Sequence, residues 1–240
     1  MWVVVVWVIV AVVVCLLTMC SPFIANLCTD FLPKKSGTRD DVHYFGFPMP
    51  STDIYMRCFD THGDKKDPSR NFNTSSCTKL DYNGMAQCCP ELLELYFSDE
   101  LCSAAAEAMG VEKLYLNDPQ VDVNCIFLRK YVEGDHLAFH YDNNFAIGTR
   151  YSAVIPLHVT QNNTSEFIMI DRDNRIQIMP ISLGQGVVYN GWQIRHAITG
   201  QIQGEERIVV VVHLYDNPRM NLWGKLRKKA RDLTYKSLSL

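Results

Sequence analysis

What this chain lacks narrows its class before any motif does. From Met1 to Thr29 there is no charged side chain, and Asp30 is the first. That stretch is therefore not globular in character. No Lys or Arg precedes the apolar run and no clear small-residue cleavage site follows it, which weakens a cleaved signal peptide as its explanation. No C-x-x-C pair with partner spacing occurs among the nine cysteines, which argues against a zinc site. A basic surplus is missing too: the formal net charge is −3, whereas nucleic-acid binders usually carry a strong positive excess. Beyond the Val-rich start there is no internal repeat and no low-complexity segment. What remains is 240 residues, 48% hydrophobic and 20% charged, enough for one foldable domain with an appendage.

About 20 apolar residues suffice to cross a hydrocarbon core, so residues 1–22 read as a transmembrane signal-anchor. The length disfavours a buried core strand or helix. Orientation is pulled two ways. Lys34, Lys35 and Arg39 lie just beyond the span, and the positive-inside rule taken alone would keep the downstream domain in the cytosol. Cys28, Cys58, Cys77, Cys88, Cys89, Cys102 and Cys125 all lie downstream, a density that suits an oxidising lumen with disulfides. Asn73-Thr74-Ser75, Asn162-Asn163-Thr164 and Asn163-Thr164-Ser165 are glycosylation acceptor patterns. The reading favoured is a single-pass membrane protein whose main domain lies in the lumen of the endoplasmic reticulum or secretory pathway.

Composition divides the rest. Residues 23–90 are rich in Ser, Thr, Asp, Asn, Pro and Gly with scattered Cys, and read as a stem or loop-rich N-terminal subregion. Residues 91–218 read as the folded domain and 219–240 as a basic tail. Glu91 to Leu95 and Asp99 to Met109 are helical in composition, with Gly110 as a stop signal. Seven β-branched or aromatic runs come next: Cys125 to Tyr131, Leu137 to Asp142, Tyr151 to Val159, Phe167 to Ile170, Ile176 to Met179, Val187 to Tyr189 and Ile208 to Leu214. Turn residues separate them, as in an all-β sandwich or barrel, and two sheets folded as a jelly roll suit the count. The fold class expected is mainly β with flanking helices. The run from Arg207 to Leu214 is apolar on both faces and reads as a central strand. In the tail, Leu222, Leu226 and Leu233 stand at near-helical spacing, giving a solvated terminal helix.

The chemistry lies in His140-Tyr141-Asp142, a distant His196, and Arg207 eleven residues beyond that. Side chains alternate along a strand, so positions 140 and 142 share a face. Two His and one carboxylate arranged this way form the facial triad that holds Fe(II) and leaves open positions for dioxygen and a co-substrate. The 56-residue gap to His196 leaves room for about four strands. Thr199 to Gly204 looks like a hairpin after which Arg207 opens an antiparallel partner strand, where a guanidinium suits a carboxylate. A His-x-Asp pair alone arises easily by chance, and His158 and His213 read as structural or surface histidines. The joint pattern of pair, spacing, β-rich context and Gly-x-x-Arg is what carries the metal reading.

Across residues 124 to 215 the sequence resembles the iron- and 2-oxoglutarate-dependent dioxygenases, particularly their prolyl hydroxylase-like branch. The likeness rests on Leu128-Arg129-Lys130-Tyr131-Val132-Glu133-Gly134-Asp135-His136, His140-Tyr141-Asp142, Gly186-Val187-Val188-Tyr189, and His196 through Arg207. It implies a double-stranded β-helix. His140, Asp142 and His196 would ligate Fe(II), Arg207 would bind the distal carboxylate of 2-oxoglutarate, and Tyr131 would face the co-substrate pocket. It further implies hydroxylation of a protein or peptide side chain, prolyl being one candidate, with 2-oxoglutarate converted to succinate and ascorbate keeping the iron reduced. Three departures stand out. The anchor lies eleven rather than ten residues past the second His. The strand after the metal pair carries Ile155-Pro156-Leu157-His158 where many prolyl hydroxylases have a Tyr. His213 occupies the place where the nucleic-acid demethylase branch has a second Arg, which counts against a nucleic-acid substrate. A non-catalytic jelly-roll binding ectodomain is the alternative, and a disulfide-rich ectodomain with an accidental His-Asp pair is a third.

Overall fold

The computed structural model describes residues 42–62, 77–160, 164–171, 173–201 and 203–238. The expected span at 1–22 and all three acceptor asparagines lie outside the described residues. Among the described residues no helix is long and apolar enough to cross a membrane.

Among the described residues eleven strands and five helices run in order: β1 (Val42–Gly46), α1 (Thr52–His62), β2 (Thr78–Asp81), α2 (Tyr82–Cys88), α3 (Pro90–Tyr96), α4 (Asp99–Met109), β3 (Tyr115–Leu116), β4 (Ile126–Tyr131), β5 (Leu137–His140), β6 (Arg150–Val159), β7 (Phe167–Ile170), β8 (Ile176–Met179), β9 (Gln185–Tyr189), β10 (His196–Ile198), β11 (Arg207–Tyr215) and α5 (Leu222–Leu238). They form a large sheet ordered β1-β9-β6-β11-β4-β2, with β3 also on β11, and a small sheet ordered β5-β10-β7-β8. Every pairing is antiparallel. The seven expected strand runs are all present, although the second ends at His140 and leaves Asp142 just beyond it, and four strands separate β5 from β10.

The large sheet is buried on both faces, which explains the unbroken Val run of β11. Ile208, Val210, Val212 and Leu214 face one apolar cluster with Tyr55, Met85, Leu92, Tyr96, Leu101 and Ala105 of the helices. Val209 and Val211 face the other, shared with Phe127 and Tyr131 of β4, Val154 of β6 and Phe167 and Met169 of the small sheet. This second cluster is the interior of the roll. Local signals place the helices as the sequence predicts: Ser98 Oγ caps α4 by accepting from Leu101 N at 3.2 Å, and Gly110 ends it at φ 65°.

Two expectations need correction. The stretch 23–90 is not simply a stem, because β1 and β2 close the two edges of the large sheet and α1 packs on its back. Edge strands of five and four residues with polar positions, such as His43 and Lys79, leave no long apolar run to read. The segment after His196 is also no hairpin. Strand β10 is flanked by β5 and β7, whereas β11 is flanked by β4 and β6, so the two lie in different sheets. A three-residue strand with both edges taken cannot pair with its successor.

The structure also joins Cys58 to Cys89 in a disulfide, while Cys88, Cys102 and Cys125 are free thiols. The basic tail forms α5 and is docked: Arg231 Nη2 lies 3.3 Å from the buried Asp122 carboxylate, and its guanidinium covers the Phe145 ring at 4.8 Å. Substituting Ile155→Ala, fully buried in the cluster beneath the helices, is expected to cost about 2–5 kcal/mol in urea unfolding. Ile178→Ala, 45% exposed on β8, should stay within about 0.5 kcal/mol.

Candidate metal centre

The centre is made by one register choice. In the small sheet His196, the first residue of β10, is the cross-strand partner of His140, the last residue of β5. Their rings lie 4.2 Å apart between centroids. Asp142, two residues on, presents Oδ1 3.6 Å from His140 Nε2 and 3.9 Å from His196 Nε2. The three ligand atoms all lie within 4.8 Å of one another.

Both imidazoles are oriented in the same way. His140 Nδ1 donates to Ala138 O at 2.9 Å and His196 Nδ1 to Ile194 O at 3.0 Å. A ring proton held on Nδ1 leaves the Nε2 lone pair for the centre, the arrangement that metal-binding histidines need. Burial pushes the His196 imidazole down to about 4, with the neighbouring His140 adding to the effect, so it is neutral in ordinary buffers. For Asp142 burial opposes ionisation, but Arg150, His196 and His140 outweigh it and hold the carboxyl well below its usual range. Two imidazole nitrogens and one carboxylate are the donor set that suits a divalent first-row ion. The residues present fit Fe(II).

Behind Asp142 stands a polar support absent from the sequence expectations. Ser152 Oγ donates to Asp142 Oδ2, and Asp142 N donates to Gly191 O at 2.9 Å. A Cβ at Gly191 would run into Asp142 Oδ2 and Ser152 Oγ, so only glycine fits there. Arg150, buried, donates to Asn143 O and to His213 Nε2. His213 Nδ1 in turn donates to Asn124 O at 2.7 Å, and burial together with Arg150 keeps this imidazole neutral. His213 is thus structural, as expected. His158 is half-buried on β6 with Nε2 3.9 Å from Glu206 Oε1, apart from the triad. The missed residues carry a faint signal: Arg150 and Ser152 are polar positions alternating with Tyr151 and Ala153 at the head of an apolar strand. Only the register shows which carboxylate they serve.

Tyr131 and Arg207 are cross-strand partners on β4 and β11, both inward-facing and both buried, the tyrosine 1% exposed. Arg207 Nη2 donates to Ser165 O at 2.6 Å. Around the triad, Tyr189 and Phe167 place their rings 4.9 and 5.9 Å from that of His196, an apolar wall that excludes water.

No protein-family model matches this sequence, and no curated protein matches it either. Solved structures do. A prolyl-4-hydroxylase from Pseudomonas putida is similar at 16% identity and TM-score 0.52, over 75% of this chain and 93% of that one. A prolyl hydroxylase from Trichoplax adhaerens, solved with a hypoxia inducible factor peptide fragment, is similar at 12% and 0.52, over 90% and 94%. The non-heme α-ketoglutarate-dependent epimerase SnoN of nogalamycin biosynthesis is similar at 11% and 0.55, over 74% and 77%. The chain has the 2-oxoglutarate oxygenase fold. In this chain the two-sheet order and the His-x-Asp…His cluster occur together.

Replacing Ser152 by Ala removes one hydrogen bond to Asp142 and leaves the apolar clusters intact. Mn(II) titration of that variant is expected to show affinity lowered on the order of 10-fold or more. Unchanged affinity would mean that the Gly191 contact alone orients the carboxylate.

Proposed function

We propose that this protein is an Fe(II)- and 2-oxoglutarate-dependent dioxygenase that hydroxylates a protein or peptide side chain, with prolyl residues as one candidate, and converts 2-oxoglutarate to succinate. The observation that carries this reading is the convergence of His140 Nε2, Asp142 Oδ1 and His196 Nε2 between the two sheets. His140, Asp142 and His196 are the residues that would hold the metal. Bound there, Fe(II) supplies the redox chemistry that couples dioxygen to 2-oxoglutarate decarboxylation and substrate hydroxylation.

The chain's own residues divide the remaining tasks. Asp142, ionised at neutral pH, brings a single negative charge to the triad, so an Fe(II) centre would keep a net positive charge for an incoming anion. Arg207 is fixed by its bond to Ser165 O and offers a planar fork for the carboxylate far from the metal. Tyr131, its register partner, lines the same wall with a phenol. The rings of Tyr189 and Phe167 keep water from the ligand side of His196. A peptide substrate is supported by the Trichoplax adhaerens neighbour, which holds one. Ascorbate would serve to keep the iron reduced. Membrane attachment through residues 1–22, with the domain in the secretory lumen, completes the proposal on the strength of the sequence alone.

The test needs no substrate. With Fe(II), ascorbate and 2-oxoglutarate, uncoupled succinate formation should fall to background in His140→Ala and Asp142→Ala and persist in His158→Ala. Arg207→Ala should raise the 2-oxoglutarate requirement about 10- to 100-fold, the loss of a charged hydrogen bond of roughly 1.5–3 kcal/mol. Absence of both succinate and iron binding in the native protein would replace the enzyme reading with that of a jelly-roll binding ectodomain.

A further inference from the structure

Arginine at position 129 is out of character for its place. Along β4 the residues Phe127, Arg129 and Tyr131 share one face, and Phe127 and Tyr131 belong to the apolar cluster inside the roll. Arg129, half-buried, therefore stands on the inward face between two buried aromatic rings. Its Nη1 donates to Tyr131 Oη at 3.3 Å, and its guanidinium carbon lies 5.1 Å from the centre of the Phe127 ring. A cation led inward through an apolar cluster needs an electrostatic reason, because burying it opposes folding.

Its position along the strand gives that reason. Tyr131 pairs with Arg207, whereas Arg129 pairs with Val209, one inward step further along β11. That step leads toward Phe127, whose ring stands 5.2 Å from that of His213, the histidine bound to Arg150 behind Asp142. Arg129 thus lies on the metal side of the Arg207–Tyr131 pair. The electrostatics agree: its charge is among those acting on His196 and Tyr189, while the groups acting on Arg207 are Tyr131, Glu205 and Glu166.

We propose that Arg129 is a second anion-binding residue of the co-substrate pocket, which receives the carboxylate adjoining the keto group while Arg207 receives the distal one. This rests on the dioxygenase reading above. Two guanidinia about one inward step apart, with the Tyr131 hydroxyl between them, would grip both ends of a 2-oxo dicarboxylate. The pocket would accordingly select that class over 2-oxo monocarboxylates.

Equilibrium binding to the Mn(II)-loaded protein, with no turnover, tests the assignment using 2-oxoglutarate and oxalate. Oxalate reproduces the metal-side carboxylate and has no distal one. Arg129→Met is expected to weaken both ligands on the order of 10- to 100-fold, and Arg207→Met to weaken 2-oxoglutarate while sparing oxalate. If Arg129→Met does not fold, Arg129→Gln keeps a donor for Tyr131 and removes only the charge, and it should show the same pattern. Native affinity for oxalate in a folded Arg129 variant overturns the assignment. Failure of the native protein to bind either ligand overturns the dioxygenase reading instead.

Discussion

The structure turns on one anion held largely away from water. The Asp142 carboxylate sits between the sheets, where an uncompensated charge would be costly. Compensation comes from four side chains: His140 on its own strand end, His196 across the small sheet, and Ser152 and Arg150 from the large sheet. The backbone at Gly191 holds the Asp142 amide and so fixes where the side chain starts. These partners belong to both sheets, so the position of the carboxylate depends on how the roll closes. Shifting β10 by one residue against β5 would turn His196 to the other face and dismantle the cluster.

The large sheet does two jobs with its two faces. The face toward the helices is almost wholly apolar and supplies rigidity through Ile155, Leu157, Val210 and Val212 against Tyr55, Leu92 and Leu101. The inward face mixes Val209, Val211 and Val154 with Arg129, Tyr131, Arg150, Ser152, Arg207 and His213. Polar side chains are tolerated there because each has a neighbour of matching character, as with His213 between Arg150 and Asn124 O. The polar groups fall into two patches along the strands, one behind Asp142 and one around Tyr131 and Arg207. A charged co-substrate would bridge them, which gives the inward polarity a purpose that stability alone does not.

Much of this could be read without coordinates. The strand runs, the helix from Asp99 stopped by Gly110, and the apolar character of β11 all come from local pattern. His140 and Asp142 sharing a face followed from strand alternation. Other features stayed hidden for physical reasons. The edge strands β1 and β2 are too short to show periodicity, and their place at opposite edges of the sheet is a matter of long-range pairing. Reading Thr199 to Gly204 as a hairpin failed because a turn-rich linker looks the same whether it returns to its own sheet or crosses to the facing one.

By itself the sequence determined the strand-rich class, the metal-ligating residue types and their separation along the chain, because alternation and composition are local properties. Tertiary structure alone decided that His196 stands opposite His140, that Ser152 and Arg150 serve Asp142, and that Arg129 shares the inward face with Tyr131 and Arg207. Those relations depend on which strands pair and in what register. Cross-strand hydrogen bonding and packing between the sheets fix both, and neither is encoded within any single segment.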